Sequence, residues 1–301
     1  MEKIEIEYSQ NWQEYELLDS GYCKKLERFG SFRITRPDPR ALWQPRLPQA
    51  EWRKALASFQ GKSKETGKWS KSGQIPEKWL IHYKNLVFQL RFSDFKNIGI
   101  FPEQAVNWEW LQSQIANRKS RIKVLNLFAY TGAASVVCVK AGAEVVHVDS
   151  VRSINLWAKE NAKLNKVPEK QIRFLEDDAF KFVVREAKRG NKYDGIIMDP
   201  PRFGHGIKGE IWKLAFDLPK LVFECEKILS PDPVFFLLNA YTADLSSMAL
   251  KNLLQDATKK FGGKIEFGEL ALKEKSAGPP SSASARQGRL LPSGIFARYK
   301  Q

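Results

Sequence analysis

The stretch "KVLNLFAYTGAASVVCVKAGAEVVHVDS", residues 123–150, decides the fold. An apolar run, "KVLNLF", meets a turn at Gly132, and a small-residue helical segment, "GAASVVCVKAG", leads into a second run, "EVVHV". Continuous apolar strands alternating with helices mark a parallel sheet covered on both faces. The alternation persists downstream. "SINLWAKENAKLN" precedes "IRFL", and "AFKFVVREAKR" precedes "DGIIM". A helix through "WKLAFDLPKLVFECEKIL" then precedes "PVFFLLNAY", with Pro219 expected near a start or kink of that helix rather than mid-helix. "SAGPPSSASARQG", 276–288, reads as a mobile loop before a last strand, "GIFARYK".

Upstream the texture differs. Residues 1 to about 46 read as a β-hairpin or meander, and "KWLIHYKNLVFQLRF" as two strands around Lys84-Asn85. Between them, residues 47–80 are lysine-rich with Trp52, Trp69 and Trp79 interleaved. This segment reads equally as a flexible insertion or as an arm contacting nucleic acid. "AVNWEWLQSQIANRK" has helical spacing. The expected organisation is a small β-rich domain over 1–94 and an α/β domain over 95–301.

Strand ends in such sheets hold ligands, and the first βα turn is the usual seat of an adenosine-containing cofactor. Gly132 brings the backbone close to a ligand there, and Ala133 and Ala134 leave room. Only one glycine of the G-x-G-x-x-G dinucleotide pattern is present, which suits a cofactor without phosphates. Asp149 ends the next strand about 20 residues on, where an acid accepts both ribose hydroxyls. Asp178 ends the third, within reach of an adenine amino group. Each acid alone reads equally as a helix N-cap. Three suitable strand ends in succession favour the cofactor.

The fourth strand runs into "IIMDPPRFGHG", 196–206. Pro200 and Pro201 fix their φ angles, so Asp199 and the loop carbonyls face the crevice and accept hydrogen bonds from a base. Phe203 offers a stacking face. Arg202 meets a phosphate or is solvated, and Gly204 and Gly206 give the backbone room to close. The formal net charge of +15 favours a polyanionic partner. Cys23, Cys138 and Cys225 have no C-x-x-C spacing, so neither a disulfide framework nor a metal knuckle is expected. The charged opening "MEKIEIEYSQ" lacks a signal-peptide core, and no apolar run approaches the ~20 residues of a membrane span. A cytoplasmic protein without membrane contact is expected.

The order "NLFAYTGAAS … VD … EDDAF … DPPRF" resembles a class I S-adenosylmethionine-dependent methyltransferase. More closely it resembles the bacterial family of large-subunit ribosomal RNA 5-methylcytosine and 7-methylguanine methyltransferases. "LLDSGYCKKLERFG", "RPDPRALW", "FKNIGIFPEQAVNWEWL" and "DPPRFGHGIKGEIWKL" are similar to one branch of it, over nearly the whole chain. The resemblance implies a Rossmann-like seven-stranded sheet, mostly parallel with an antiparallel last strand. It implies that Phe128, Tyr130, Thr131 and Gly132 line the methionine end of S-adenosyl-L-methionine. Asp149 and Ser150 then hold the ribose, and Asp178 with Ala179 meets the adenine. "GIFPEQ" would fold over the cofactor with Phe101 and Gln104.

Methylation at a pyrimidine carbon needs a cysteine to add to the ring first. The 5-methylcytosine relatives carry it after the fifth strand, where this chain has "LLNAYTADLSS", with Asn239, Tyr241 and Thr242 instead. Cys138 and Cys225 read as core. The expectation is direct in-line transfer to RNA, ribosomal RNA or a ribosomal subunit above all, with Asp199, Pro200, Pro201 and Phe203 at the reacting base. Arg202, Asn239 and Tyr241 would bind substrate, although Asn239 reads equally as a cap. A protein or small-molecule acceptor and a non-catalytic RNA-binding role are the alternatives.

Overall fold

The computed structural model describes residues 3–10, 12–61, 66–116, 118, 120–205, 211–242, 244–275 and 288–301. In chain order the first strands are β1 (Glu5–Tyr8), β2 (Tyr15–Gly21), β3 (Lys24–Phe29) and β4 (Phe32–Pro37). After a short α1 (Gln49–Trp52) come β5 (Ala57–Gly61), β6 (Gly67–Lys71), β7 (Lys78–Tyr83) and β8 (Leu86–Arg91). Then follow α2 (Ala105–Ile115), β9 (Lys123–Leu127), α3 (Ala133–Lys140), β10 (Glu144–Asp149), α4 (Arg152–Leu164), β11 (Ile172–Glu176) and α5 (Ala179–Lys188). The remainder is β12 (Gly195–Met198), β13 (Phe203–His205), β14 (Ile211–Lys213), α6 (Leu214–Glu226), β15 (Phe235–Ala240), α7 (Ser247–Thr258), β16 (Lys264–Lys273) and β17 (Leu290–Lys300).

The backbone divides into two units. One comprises Tyr8–Ala105 with Ala271–Ser293. In it β2, β3 and β4 form an antiparallel meander, extended through β4–β5 and β5–β6 into a five-stranded sheet, while β7 and β8 pair as a hairpin. Lys84 turns that hairpin at φ 52°. The flexible-insertion reading of 47–80 is therefore corrected, because β5 and β6 are strands of the sheet. Its tryptophans are packed: Trp79 is buried, Trp69 meets the Phe59 ring edge-on, and Trp52 Nε1 donates to Asp19.

The other unit, Met1–Glu7, Val106–Leu270 and Gly294–Gln301, carries most of the eight-stranded sheet. Its order is β1-β16-β17-β15-β12-β9-β10-β11. Strands β11, β10, β9, β12 and β15 are parallel, and β17 pairs antiparallel with β15. The seven anticipated strands are joined by β1 at the edge. Register aligns Leu127 with both Val148 and Met198, and Asp149 with Glu176, so four strands end level. Helix α6 buries Leu214, Leu218, Leu221, Val222 and Cys225, continuous with the strand core.

Two local expectations change. Pro219 lies inside α6 as the sixth of its 13 residues, past the first turn, where its missing N–H removes one bond of the ladder. Trp212 and Lys213 belong to β14 rather than the helix, because β14 pairs with β13 as a hairpin. The mobile-loop reading falls on 276–287, outside the described residues, apart from Gly288.

Buried polar groups are stitched together. Arg298 on β17 donates through Nε to Asn107 Oδ1 at 2.8 Å and through both terminal nitrogens to the Glu7 carboxylate. Beneath the first βα turn, Asn126 Nδ2 donates to Ser135 Oγ at 2.9 Å, and His147 Nδ1 lies 3.0 Å from the same oxygen. His147 is fully buried, and that burial lowers its pKa to about 3, so the ring is neutral.

Candidate active site

The chain runs from β9 outward through β10 and β11, then returns to place β12 on the other side of β9. The sheet's switch point therefore lies between β9 and β12, and a crevice opens outside the carboxyl ends of such strands. Here it is lined by Phe128, Val148, Asp149, Ser150, Asp177, Asp178, Ala179, Phe180, Pro201, Gly204 and Trp212.

The β9–α3 turn is held from several sides. Phe128 and Tyr130 both adopt left-handed φ values, 54° and 48°, which side chains rarely do. Such backbone persists where its surroundings over-determine it. Tyr130 N–H donates to Asp149 Oδ2 at 2.9 Å, and Asn161 Nδ2 on α4 donates to the Thr131 carbonyl at 2.9 Å. Gly132 has φ 82°, and a Cβ there would stand 3.1 Å from Ala158 Cβ. The turn can accept only glycine without strain.

Asp149 Oδ1 takes the Val151 N–H at 3.0 Å. Each oxygen thus holds one backbone N–H and keeps acceptor capacity. Burial pushes this carboxyl above the ordinary aspartate range, while the two backbone N–H groups pull it back. Asp178 caps α5 through Oδ1 on Lys181 N–H at 2.8 Å, and it also lines the crevice. Asp177 ion-pairs with Arg185.

The "DPPRF" loop forms the opposite wall. Asp199 is half-buried after β12 and Pro200 is buried, while Pro201 and Gly204 line the crevice. Trp212 Nε1 donates to the Pro201 carbonyl at 2.7 Å, and its ring lies 5.1 Å from that of Phe128. The β13–β14 hairpin is therefore clamped against the cofactor turn. Phe203 is 53% exposed with the Arg202 guanidinium 5.3 Å from its ring centre, and Arg202 pairs with Asp244 at 2.7 Å. Asn239 is buried, and its Oδ1 accepts from Asn107 Nδ2 at 2.9 Å. Tyr241 is half-buried beside Gly294.

Of the anticipated residues, Phe128, Asp149, Ser150, Asp178, Ala179, Pro201 and Gly204 line one crevice. Tyr130, Thr131 and Gly132 form the turn behind it. Phe101 and Gln104 belong to the other unit, and Gly206 lies outside the described residues. Trp212, Phe180 and Asp177 also line the crevice but had not been singled out. Phe180 and Asp177 sit one residue from residues that had been.

An adenosine-type cofactor fits these residues. The Asp149 carboxylate retains acceptor capacity, Phe180 and Ala179 give apolar walls, and the close glycine turn carries no phosphate-binding loop. A model of the S-adenosylmethionine-dependent methyltransferase family matches residues 45–247. A crystal structure of the SAM-dependent methyltransferase from Agrobacterium tumefaciens is 38% identical, with a TM-score of 0.90, covering 98% of this chain and 93% of that one. The ribosomal RNA large subunit methyltransferase K/L of Magnetococcus marinus is 29% identical over 178 residues, covering 58% of this chain and 24% of the relative. The ribosomal RNA large subunit methyltransferase K of Neisseria meningitidis is 24% identical over 215 residues, 71% of this chain and 56% of the relative. The chain thus spans a quarter to just over half the length of these two relatives. Strand-end acids, a glycine turn and a family match over two-thirds of the sequence converge: the chain belongs to the S-adenosylmethionine-dependent methyltransferases.

Proposed function

We propose that the chain transfers a methyl group to a nucleobase of RNA, ribosomal RNA above all, by direct in-line displacement without a covalent cysteine intermediate. One observation carries this reading: Asp149 and Asp178 line a single crevice with Pro201 of the "DPPRF" loop and Gly204 just after it. When bound, S-adenosylmethionine supplies an electrophilic methyl on a sulfonium. The chain's own work is to hold a base in line with it, and such positioning provides much of the acceleration. Asp149 and Ser150 hold the ribose, and Asp178 and Ala179 the adenine. Phe128, Tyr130, Thr131 and Gly132 meet the methionine end.

Asp199 and the carbonyls beside Pro200 and Pro201 orient the base, and Phe203 stacks on its face. Arg202 exchanges Asp244 for a phosphate. Asn239 has its oxygen occupied by Asn107, so its amide nitrogen is the group that donates to a base edge. The base enters unpaired or flipped, since its reacting atom must reach the crevice. Two facts support a cysteine-free route. Cys138 and Cys225 are buried, with burial raising both thiols. Among the described residues no cysteine lines the crevice. The +15 charge and the names of the two relatives support RNA as acceptor.

The test is incubation with tritiated S-adenosylmethionine and RNA or ribosomal subunits from cells lacking the gene. Label in large-subunit RNA is expected. Cofactor binding with unlabelled RNA and subunits refutes the acceptor.

A further inference from the structure

We infer that the outward face of α6 is a track for single-stranded RNA leading away from the crevice, an inference that rests on RNA being the acceptor. The helix turns Leu214, Leu218, Leu221, Val222 and Cys225 into the core. Its opposite face presents Phe216, Lys220, Phe223 and Lys227, each three or four residues from the last, as one continuous stripe, with Lys213 at the end of β14 leading into it. All five are exposed. Phenylalanine is out of place on such a face, yet Phe216 is 71% and Phe223 42% exposed. They stand seven residues apart, about 10 Å along the axis at 1.5 Å per residue.

The stripe starts at the crevice. Lys213 is the register partner of Phe203 across the β13–β14 hairpin, and Leu214 N–H donates to the Arg202 carbonyl at 3.1 Å. Trp212, between Ile211 and Lys213, lines the crevice itself. A strand leaving a base beside Phe203 therefore meets Lys213 next, then alternating aromatic faces and cations.

That alternation suits one class of ligand. Bases stack on aromatic faces whatever their identity, while lysines meet the phosphates between them. Lys220 Nζ lies 3.4 Å from Asp217 Oδ1 and Lys227 Nζ 2.6 Å from Glu224 Oε1. Both are exposed pairs within one helix, which hold weakly in water and yield to a polyanion. A second copy of the chain is a poor occupant, because a two-fold axis would set this lysine stripe against itself. Duplex RNA presents no unstacked base faces.

The test measures anisotropy of a short labelled single-stranded RNA of mixed sequence across a salt series, using the full chain. Phe216→Ala/Phe223→Ala should weaken binding about 30-fold or more, the loss of two stacked bases, with the salt slope unchanged. Lys220→Gln/Lys227→Gln should lower the slope of log affinity on log salt by about 1.4. Calorimetric binding of S-adenosylmethionine should be unchanged in both, which shows that they fold. If wild type binds and methylates RNA and the phenylalanine variant binds it equally well, the track is refuted while the acceptor stands. If wild type neither binds nor methylates RNA, both fall. A phenylalanine variant that converts a dimer to a monomer in sedimentation, with RNA binding intact, makes the face a self-contact and overturns the track.

Discussion

Acidification should destabilise this protein through His147, and replacement by asparagine should remove that part of the loss. The imidazole is fully buried between Ser135 Oγ, 3.0 Å from Nδ1, and the Phe174 ring, 4.9 Å between centres. Its Nε2 has no hydrogen-bond partner among the described residues. Burial lowers the native pKa to about 3, against about 6.5 in the unfolded chain. The unfolded state therefore takes up a proton that the native state refuses, and stability falls as pH falls below about 6.5 until the native ring protonates.

Between about pH 7 and about pH 5 the unfolded imidazole goes from roughly a quarter to almost fully protonated, while the native ring stays neutral. Integrated, this costs about 2 kcal/mol. Urea unfolding at both pH values measures it, with His147→Asn as the reference that retains a polar partner for Ser135. Wild type should lose about 2 kcal/mol more than the variant over this interval. Equal losses would show that the native ring accepts the proton as readily as the unfolded one, and the burial argument would fail.

Gly132→Ala should cost about 1–2 kcal/mol from its left-handed φ alone and weaken cofactor binding further as the turn shifts off Ala158, read by thermal melts with and without S-adenosylmethionine. Cofactor affinity should decline on acidification from a higher pH than an exposed aspartate would give, because burial raises the Asp149 carboxyl and protonation removes the acceptor proposed for the ribose. Asp149→Asn should bind weakly and without that dependence, by calorimetry across the acidic range. Cys138→Ala and Cys225→Ala should each retain methyl transfer from tritiated S-adenosylmethionine. Loss of transfer in a folded variant with normal cofactor affinity would point to a covalent thiol step.

What was legible in the sequence was what local pattern encodes. The runs leading to Phe128 and Asp149 are mostly apolar because β9 and β10 are buried, so their ends and spacing could be read directly, whereas edge strand β11 exposes Arg173 and Glu176 and was legible through its place in the alternation. Trp212 could not be read so easily. "WKLAF" continues a helical rhythm, and only pairing of Ile211–Lys213 with Phe203–His205 pulls those residues into a strand. The lysine-rich segment around Trp69 hid two strands because β6 turns Lys68, Ser70 and Lys71 to solvent. Asn239 reads as a polar residue at a strand end, and its tie to Asn107 joins positions 132 residues apart. The Phe–Lys face of α6 was present in the sequence as periodicity, but which side faces water depends on the helices packed beside it.

The place of β17 between β15 and β16 has a consequence for biosynthesis. Both neighbours precede it in the chain, so Phe235–Ala240, buried at every position, emerges with one edge unpaired. That edge waits for the 60 residues from Tyr241 to Lys300 to be translated, roughly 3–12 s at 5–20 residues per second. For that interval the nascent chain offers a bare apolar strand to any other extended segment nearby. Slowing translation across this stretch should favour aggregates, and a holdase that masks strand edges should suppress them.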